Sequence, residues 1–159
     1  MADYEKEVFL SWDDIQRTGK KLARRLNKKK DWKGILCITR GGLIPAGIVS
    51  RELNIHLVET ICIHSYAHKD QGQAKILKKP EIIENDGEGW LVIDDLTDTG
   101  KTFRLVRELY PKAHYACLYI KPAGKETVDT YIDSVGQDTW IDFPWDLALQ
   151  PSTPIADQE

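Results

Sequence analysis

Cysteine is scarce and scattered: Cys37, Cys62 and Cys117 form no C-x-x-C pair, and each sits inside an apolar run. A disulfide or zinc framework is therefore not expected, and all three read as small core residues. No segment approaches the ~18 consecutive apolar residues of a membrane span. The N-terminus, MADYEKEVFLSW, has neither a basic start nor the apolar stretch of about 7 to 15 residues that marks a secretory signal. A soluble, cytoplasmic protein is the expectation. Charge of one sign is also missing. With 22 Lys+Arg against 25 Asp+Glu, the net charge of -3 sets up no global basic field of the kind a dedicated nucleic-acid binder carries. The four histidines, His56, His64, His68 and His114, lack the i,i+4 or clustered spacing of a transition-metal site. No internal repeat is present. What remains is 159 residues with 42% apolar content, about one domain's worth of chain with enough core to fold without staples.

Ser11, with Asp14 three residues on, opens a stretch in which Ile15, Leu22, Ala23 and Leu26 recur at three- to four-residue spacing. This predicts a capped amphipathic helix over about 12 to 28. Gly34 to Thr39 is a continuous apolar run ending in Arg40-Gly41-Gly42, a strand buried on both faces that stops at a glycine turn. A helix over 43 to 53 follows, then a strand from His56 to His64. From Ser65 to Gly89 periodicity dissolves into a loop-rich segment. Trp90 to Asp94 reads as a third strand, and Phe103, Leu105, Val106 and Leu109 mark a second core-facing helix that Pro111 stops. Ala113 to Ile120 and Val128 to Ile132 supply two further strands, and from Phe143 the chain is proline-punctuated. Strands alternating with helices imply a mainly parallel α/β sheet covered on both faces. Its ligand crevice then lies beyond the carboxyl ends of the strands.

The chemistry concentrates where four apolar residues, Trp90 to Ile93, run into two adjacent carboxylates, Asp94 and Asp95. Neighbouring carboxylates repel each other. At the end of a buried strand they make sense as holders of a divalent cation or of paired ligand hydroxyls. Asp98-Thr99-Gly100-Lys101-Thr102 then forms a turn opening a helix, where free backbone N–H groups and the helix dipole favour a phosphate. A sugar phosphate fits both halves. The plain alternative is an acidic turn with an N-capping aspartate. An ATP-binding P-loop is rejected, because Asp95 stands where that motif needs glycine, five residues before Gly100.

The run Val92-Ile-Asp-Asp-Leu-Thr-Asp-Thr-Gly-Lys-Thr102 resembles the phosphoribosyl pyrophosphate (PRPP) signature of the type I phosphoribosyltransferases. Trp32-Lys-Gly-Ile35, Thr39-Arg-Gly-Gly-Leu43, Arg51-Glu-Leu53, Asp86-Gly-Glu-Gly89, Tyr110-Pro-Lys-Ala-His114, Lys121-Pro-Ala-Gly124 and Gln137-Asp-Thr-Trp-Ile141 resemble, in order, the bacterial xanthine-guanine branch of that family. The likeness extends from about Trp12 to Asp146. It implies the type I phosphoribosyltransferase fold as a single domain over 1–159, with a mobile lid at about 65–79 and a small hood from about 122–159. PRPP binding is implied for Arg40, Gly41 and the run Asp94, Asp95, Leu96, Thr97, Asp98, Thr99, Gly100, Lys101 and Thr102. Within that set, Asp94 and Asp95 take the ribose hydroxyls, with Asp95 also close to Mg2+ on the pyrophosphate. The loop from Asp98 cradles the 5-phosphate, and Arg40 and Gly41 meet the pyrophosphate. Asp98 is implied as general base toward the purine N7 proton. Lys121 would donate to a 6-oxo group, Trp140 would stack on the base, the Ile141 carbonyl would read position 2, and Asp142 would approach a second Mg2+.

Taken alone, Lys121 reads as a solvated lysine, Trp140 as a core aromatic and Arg40-Gly41 as a turn. The resemblance implies magnesium-dependent transfer of the 5-phosphoribosyl group from PRPP to a 6-oxopurine base, as a homotetramer with weak peripheral attachment to the inner membrane. Two departures stand out. Gly72 occupies the place of an arginine in the lid, leaving Lys69 or Lys75 to contact phosphate, and Lys101 replaces a phosphate-loop glycine. The rival reading is a nucleotide-sensing regulator that binds nucleic acid through the eight basic residues between Arg17 and Lys30. A solvated helix face is the favoured explanation of those charges, and no specific nucleic-acid partner is expected.

Overall fold

The computed structural model describes residues 4–29, 31–65, 74–146 and 156. In chain order the elements are β1 (Lys6–Phe9), α1 (Trp12–Leu26), β2 (Gly34–Thr39), α2 (Leu43–Glu52), β3 (Val58–Ser65), β4 (Ala74–Lys78), β5 (Trp90–Thr97), α3 (Lys101–Leu109), β6 (His114–Ile120), β7 (Thr130–Ser134) and β8 (Thr139–Asp142). Six strands form one sheet in the order β4-β3-β2-β5-β6-β7. All its pairs are parallel except β3 with β4. The fold is therefore a mostly parallel α/β sheet with flanking helices.

The continuous apolar runs are explained by burial on both faces, since alternate side chains of a strand point to opposite sides. Ile35 and Cys37 of β2, Leu91 and Ile93 of β5, and Ala116 and Leu118 of β6 pack with Ile15, Leu22 and Leu26 of α1 and with Ala46 and Val49 of α2. Their neighbours Leu36, Ile38, Val92, Tyr115 and Cys117 join Phe103 and Val106 of α3 on the other side. Each such large side chain, taken fully out of water, contributes roughly 1.5–3 kcal/mol before entropy is counted. Cys37 and Cys117 are buried and Cys62 is partly buried, all three as free thiols.

Helix α1 starts at a reciprocal cap. The Asp14 N–H donates to Ser11 Oγ at 3.1 Å, and the Ser11 N–H donates to Asp14 Oδ2 at 2.9 Å. Among the described residues no helix is long and apolar enough to cross a membrane.

Four expectations change. The segment from Ser65 to Gly89 is not all loop: β4 pairs antiparallel with β3, and Ile76 packs against the core. The rest of the expected lid, 66–73 with His68, Lys69 and Gly72, lies outside the described residues. Strand β5 does not stop at Asp94 but continues to Thr97, because β6 goes on pairing with it through Leu96↔Tyr119 and Thr97↔Ile120. The last strand of the main sheet lies two residues later than 128–132. It pairs with β6, so this part of the segment assigned to the hood belongs to the sheet. Finally, β8 and the N-terminal β1 form a separate two-stranded parallel sheet, with neither strand anticipated.

Candidate active site

The carboxyl edge of β2, β5 and β6 gathers most of the residues the sequence singled out. Asp94 is 9% exposed. Its Oδ1 accepts the Asp95 N–H at 2.9 Å, and Asp95 Oδ1 accepts the Leu96 N–H at 2.6 Å. Burial pushes the Asp94 carboxyl well above the usual carboxylate range, and the charge of Asp95 beside it adds to the shift. Burial likewise pushes Asp95 up to about 6, against the opposing Leu96 N–H bond and with added repulsion from Asp146. Two carboxylates so placed gain from a cation or from donor hydroxyls. Leu96 packs against the core and Thr97 is buried beside Thr127, so their side chains serve the fold.

After Thr97 the chain turns through Asp98 and Thr99 to Gly100, which adopts φ 79° and ψ 3° just ahead of α3. Only glycine takes this left-handed conformation without cost, and a Cβ here would also meet Thr127 Cγ2 at 2.5 Å. No side chain caps the start of α3, and a helix N-terminus is a place where backbone N–H groups and the helix dipole favour an anion. Lys101 is exposed at that start and Thr102 is half-buried.

Across from this loop, the Thr39–Arg40 peptide is cis. Gly41 lies so close to Asp95 that a Cβ would come within 2.6 Å of its carboxylate oxygens. The Arg40-Gly41 turn and the aspartate pair thus line one crevice. Burial raises the Asp146 carboxyl while the Arg40 guanidinium pulls it back, which brings Asp146 into the same electrostatic neighbourhood.

On the other side of β5, Lys121 follows β6 and is 2% exposed. Its Nζ donates to Asp98 Oδ2 at 3.0 Å. Asp98 Oδ1 accepts from Gln137 Nε2 at 2.6 Å, and Gln137 Oε1 in turn accepts the Ala123 N–H at 3.0 Å. Trp140 is 46% exposed and its indole N–H donates to Asp142 Oδ1 at 3.1 Å. The other Asp142 oxygen is buried without a hydrogen-bond partner. Ile141 is buried in the core, which leaves only its backbone for a ligand.

The model of the phosphoribosyl transferase domain matches residues 10–152. The chain belongs to the phosphoribosyltransferase family. It is 53% identical over 159 residues to a xanthine-guanine phosphoribosyltransferase of Nitratidesulfovibrio vulgaris, covering 99% of this chain and 96% of the relative. A xanthine-guanine phosphoribosyltransferase of Desulfotalea psychrophila is 52% identical, covering 100% and 99%. Among solved structures, a purine phosphoribosyltransferase from Pyrococcus horikoshii superposes with a TM-score of 0.77 at 29% identity, over 97% of this chain and 99% of that one.

Family members use a divalent cation, and the donor set here fits Mg2+ of one kind. Among the described residues no group of three or more His, Cys, Asp or Glu side chains is arranged as a metal cage. A raised aspartate pair and the orphaned Asp142 oxygen suit an ion that takes one or two carboxylates and fills its shell with substrate oxygens and water. Sequence reasoning missed three neighbours of these candidate residues. Gln137 lay inside a recognised motif with no role attached, Asp146 closed the matched region, and Tyr4, whose ring meets Trp140, carried no signal at all.

Proposed function

We propose that this chain transfers the 5-phosphoribosyl group of PRPP to N9 of guanine, xanthine or hypoxanthine, giving GMP, XMP or IMP and pyrophosphate, a purine-salvage reaction. The observation that carries the choice of base is the buried Lys121 ammonium, paired with Asp98 and sharing the Tyr4 ring as a neighbour with the half-exposed Trp140. A buried donor suits the 6-oxo group of these purines. Adenine would turn its 6-amino donor toward the Lys121 donor, setting two donors against each other with no acceptor between them, a costly arrangement.

In the reaction, the bond between the ribose anomeric carbon and pyrophosphate breaks, and its electron pair leaves with pyrophosphate. The purine N9 lone pair forms the new bond, and Asp98 accepts the N7 proton. Asp94 and Asp95 hold the ribose hydroxyls and stabilise the positive charge that grows on the ring. The α3 N-terminus and the Asp98-to-Thr102 loop hold the 5-phosphate, while Arg40 and the backbone at Gly41 meet the leaving group. Asp95, and at a second position Asp142, would hold Mg2+, which would supply charge neutralisation for the pyrophosphate.

The family, the absence of a membrane-spanning helix among the described residues and the exposed Leu43, Leu57, Val58, Leu77 and Ile82 support a cytoplasmic homo-oligomer. A tetramer, with at most peripheral attachment to the inner membrane, is our reading. Light scattering on the purified protein reports the assembly directly. The function is tested by offering guanine, xanthine, hypoxanthine, adenine and uracil separately with PRPP and Mg2+, and measuring nucleotide and pyrophosphate. Turnover confined to 6-oxopurines is the expected result. No turnover with any base sinks the salvage reading and leaves a nucleotide-sensing regulator as its replacement.

A further inference from the structure

Strand β1 lies parallel to β8 with Glu7 opposite Trp140 and Phe9 opposite Asp142. Ahead of it the Glu5 N–H donates to the Asp138 carbonyl at 3.0 Å, and Lys6 Nζ lies 3.9 Å from the Asp138 carboxylate. The strand that carries Trp140 and Asp142 therefore also anchors the N-terminal segment. That anchoring delivers the Tyr4 ring to the base side of the site. Its centroid is 4.9 Å from the Trp140 ring at an interplanar angle of 58°, and Lys121 Nζ sits 4.7 Å from the Tyr4 centroid.

These are the two groups assigned to the purine, one for stacking and one for the 6-oxo contact. A planar base inserted between two rings needs roughly 7 Å between them, twice an ordinary carbon contact, so no base fits between Tyr4 and Trp140 as they stand. Nor is Tyr4 core: it is 38% exposed, and among the described residues its ring meets Trp140 and Lys121. We propose that Tyr4 is a built-in occupant of the base site, an aromatic ring that stands in for the purine and that an incoming base must displace. The inference rests on the functional reading above.

The chemistry is consistent on both partners. The Lys121 ammonium over the ring face is attracted by the ring's quadrupole, and the indole meets the ring in a tilted aromatic contact at 58°, covering the surface on which a base would stack. With the ring in place, the Lys121 side chain is 2% exposed while its partner Asp98 is 39% exposed, so the ring covers the ammonium and leaves the carboxylate open to solvent. The consequence is competition inside one chain. Apparent affinity for the base falls by the fraction of molecules whose site is open, so weakly stacking ligands lose to Tyr4 while 6-oxopurines displace it.

The experiment compares the full-length chain with Tyr4→Ala and Tyr4→Phe, measuring KM for guanine and, by calorimetry, the affinity for GMP and for pyrophosphate. Tyr4→Ala is expected to lower the guanine KM and tighten GMP by about three- to tenfold, with pyrophosphate binding as the control that a general structural effect would also move. Tyr4→Phe keeps the ring and is expected to restore the higher KM. An unchanged guanine KM in Tyr4→Ala overturns the proposal, and a raised one overturns it by making Tyr4 a wall of the base site. Absence of turnover with every base in the unaltered chain overturns the functional reading, and this inference with it. Turnover without a Tyr4 effect overturns the inference alone.

Discussion

Asp98 is held on both oxygens before any substrate is present, by Lys121 at 3.0 Å and by Gln137 at 2.6 Å. A carboxylate fixed in this way is aimed rather than free, which is what a proton acceptor needs when the proton sits on a stacked base. Asp98→Asn keeps the shape and can still accept from one donor, but it cannot take the proton. Its kcat is expected to fall roughly 10²- to 10⁴-fold, with the KM for PRPP changed by no more than about twofold. Steady-state kinetics with both substrates varied checks this, and equal losses in kcat and PRPP affinity would recast Asp98 as a binding residue. Asp98 and Lys121 could be named from the sequence because each sits in a motif that resembles one to which the family attaches a role. Gln137 could not. Its contact with Asp98 spans 39 positions, and an amide has no chemistry of its own to betray it until the fold puts it beside a carboxylate.

At the scale of elements, legibility followed burial. The runs that became β2, β5 and β6 are apolar on both faces, so their existence was plain from composition, and α1 declared itself by period and cap. Strands β1 and β8 have four residues each, too short for a period, and they exist because each supplies the other's hydrogen bonds across more than a hundred residues. Strand β4, AKILK, hides for a related reason: on the sheet edge only one face is covered, and its lysines face water or reach back to β3, as Lys78 does to Glu59 at 3.7 Å. The cap of α1 offers a clean test of the local half of this argument. Ser11→Ala removes the acceptor for the Asp14 N–H and is expected to cost about 1 kcal/mol of stability without touching turnover. The cap also carries a pH signature. The bonds from Ser11 hold the Asp14 carboxyl below its ordinary 3.8, so its contribution is present above that value and is lost as pH falls through the lowered one. The gap between the thermal melts of the two proteins should therefore narrow in strong acid, where only the Asp14 N–H bond to Ser11 is at stake, and widen by pH 6. A constant gap would show that the cap acts without the carboxylate.

For the molecule as a whole, the aspartate pair sets stability against activity. Most of the fold is consistent with itself: apolar strands are covered, and the basic face of α1 is solvated or used locally, as where Arg25 donates to the Tyr131 carbonyl. Asp94 and Asp95 break that consistency, since burial raises both carboxyls and their charges oppose each other. The sign follows from the direction of the shift. A group whose folded value lies above its unfolded 3.8 favours the fold when protonated. That contribution is complete below about pH 4 and is lost as pH rises through the folded value, which for Asp95 is about 6. Asp94→Asn removes one charge and its titration. The variant is expected to melt higher than the unaltered protein at pH 8, with the advantage shrinking toward pH 4, while its turnover drops because a ribose-hydroxyl acceptor is gone. PRPP with Mg2+ should narrow the gap at pH 8 by stabilising the unaltered protein more than the variant, since only a ligand that prefers the intact folded site raises its melting temperature. Scanning calorimetry at pH 5 and pH 8, with and without PRPP and Mg2+, reads all three effects. A variant less stable at every pH would mean that the hydrogen bond from the Asp95 N–H outweighs the buried charge, and the strain between fold and function would have to be sought at another residue.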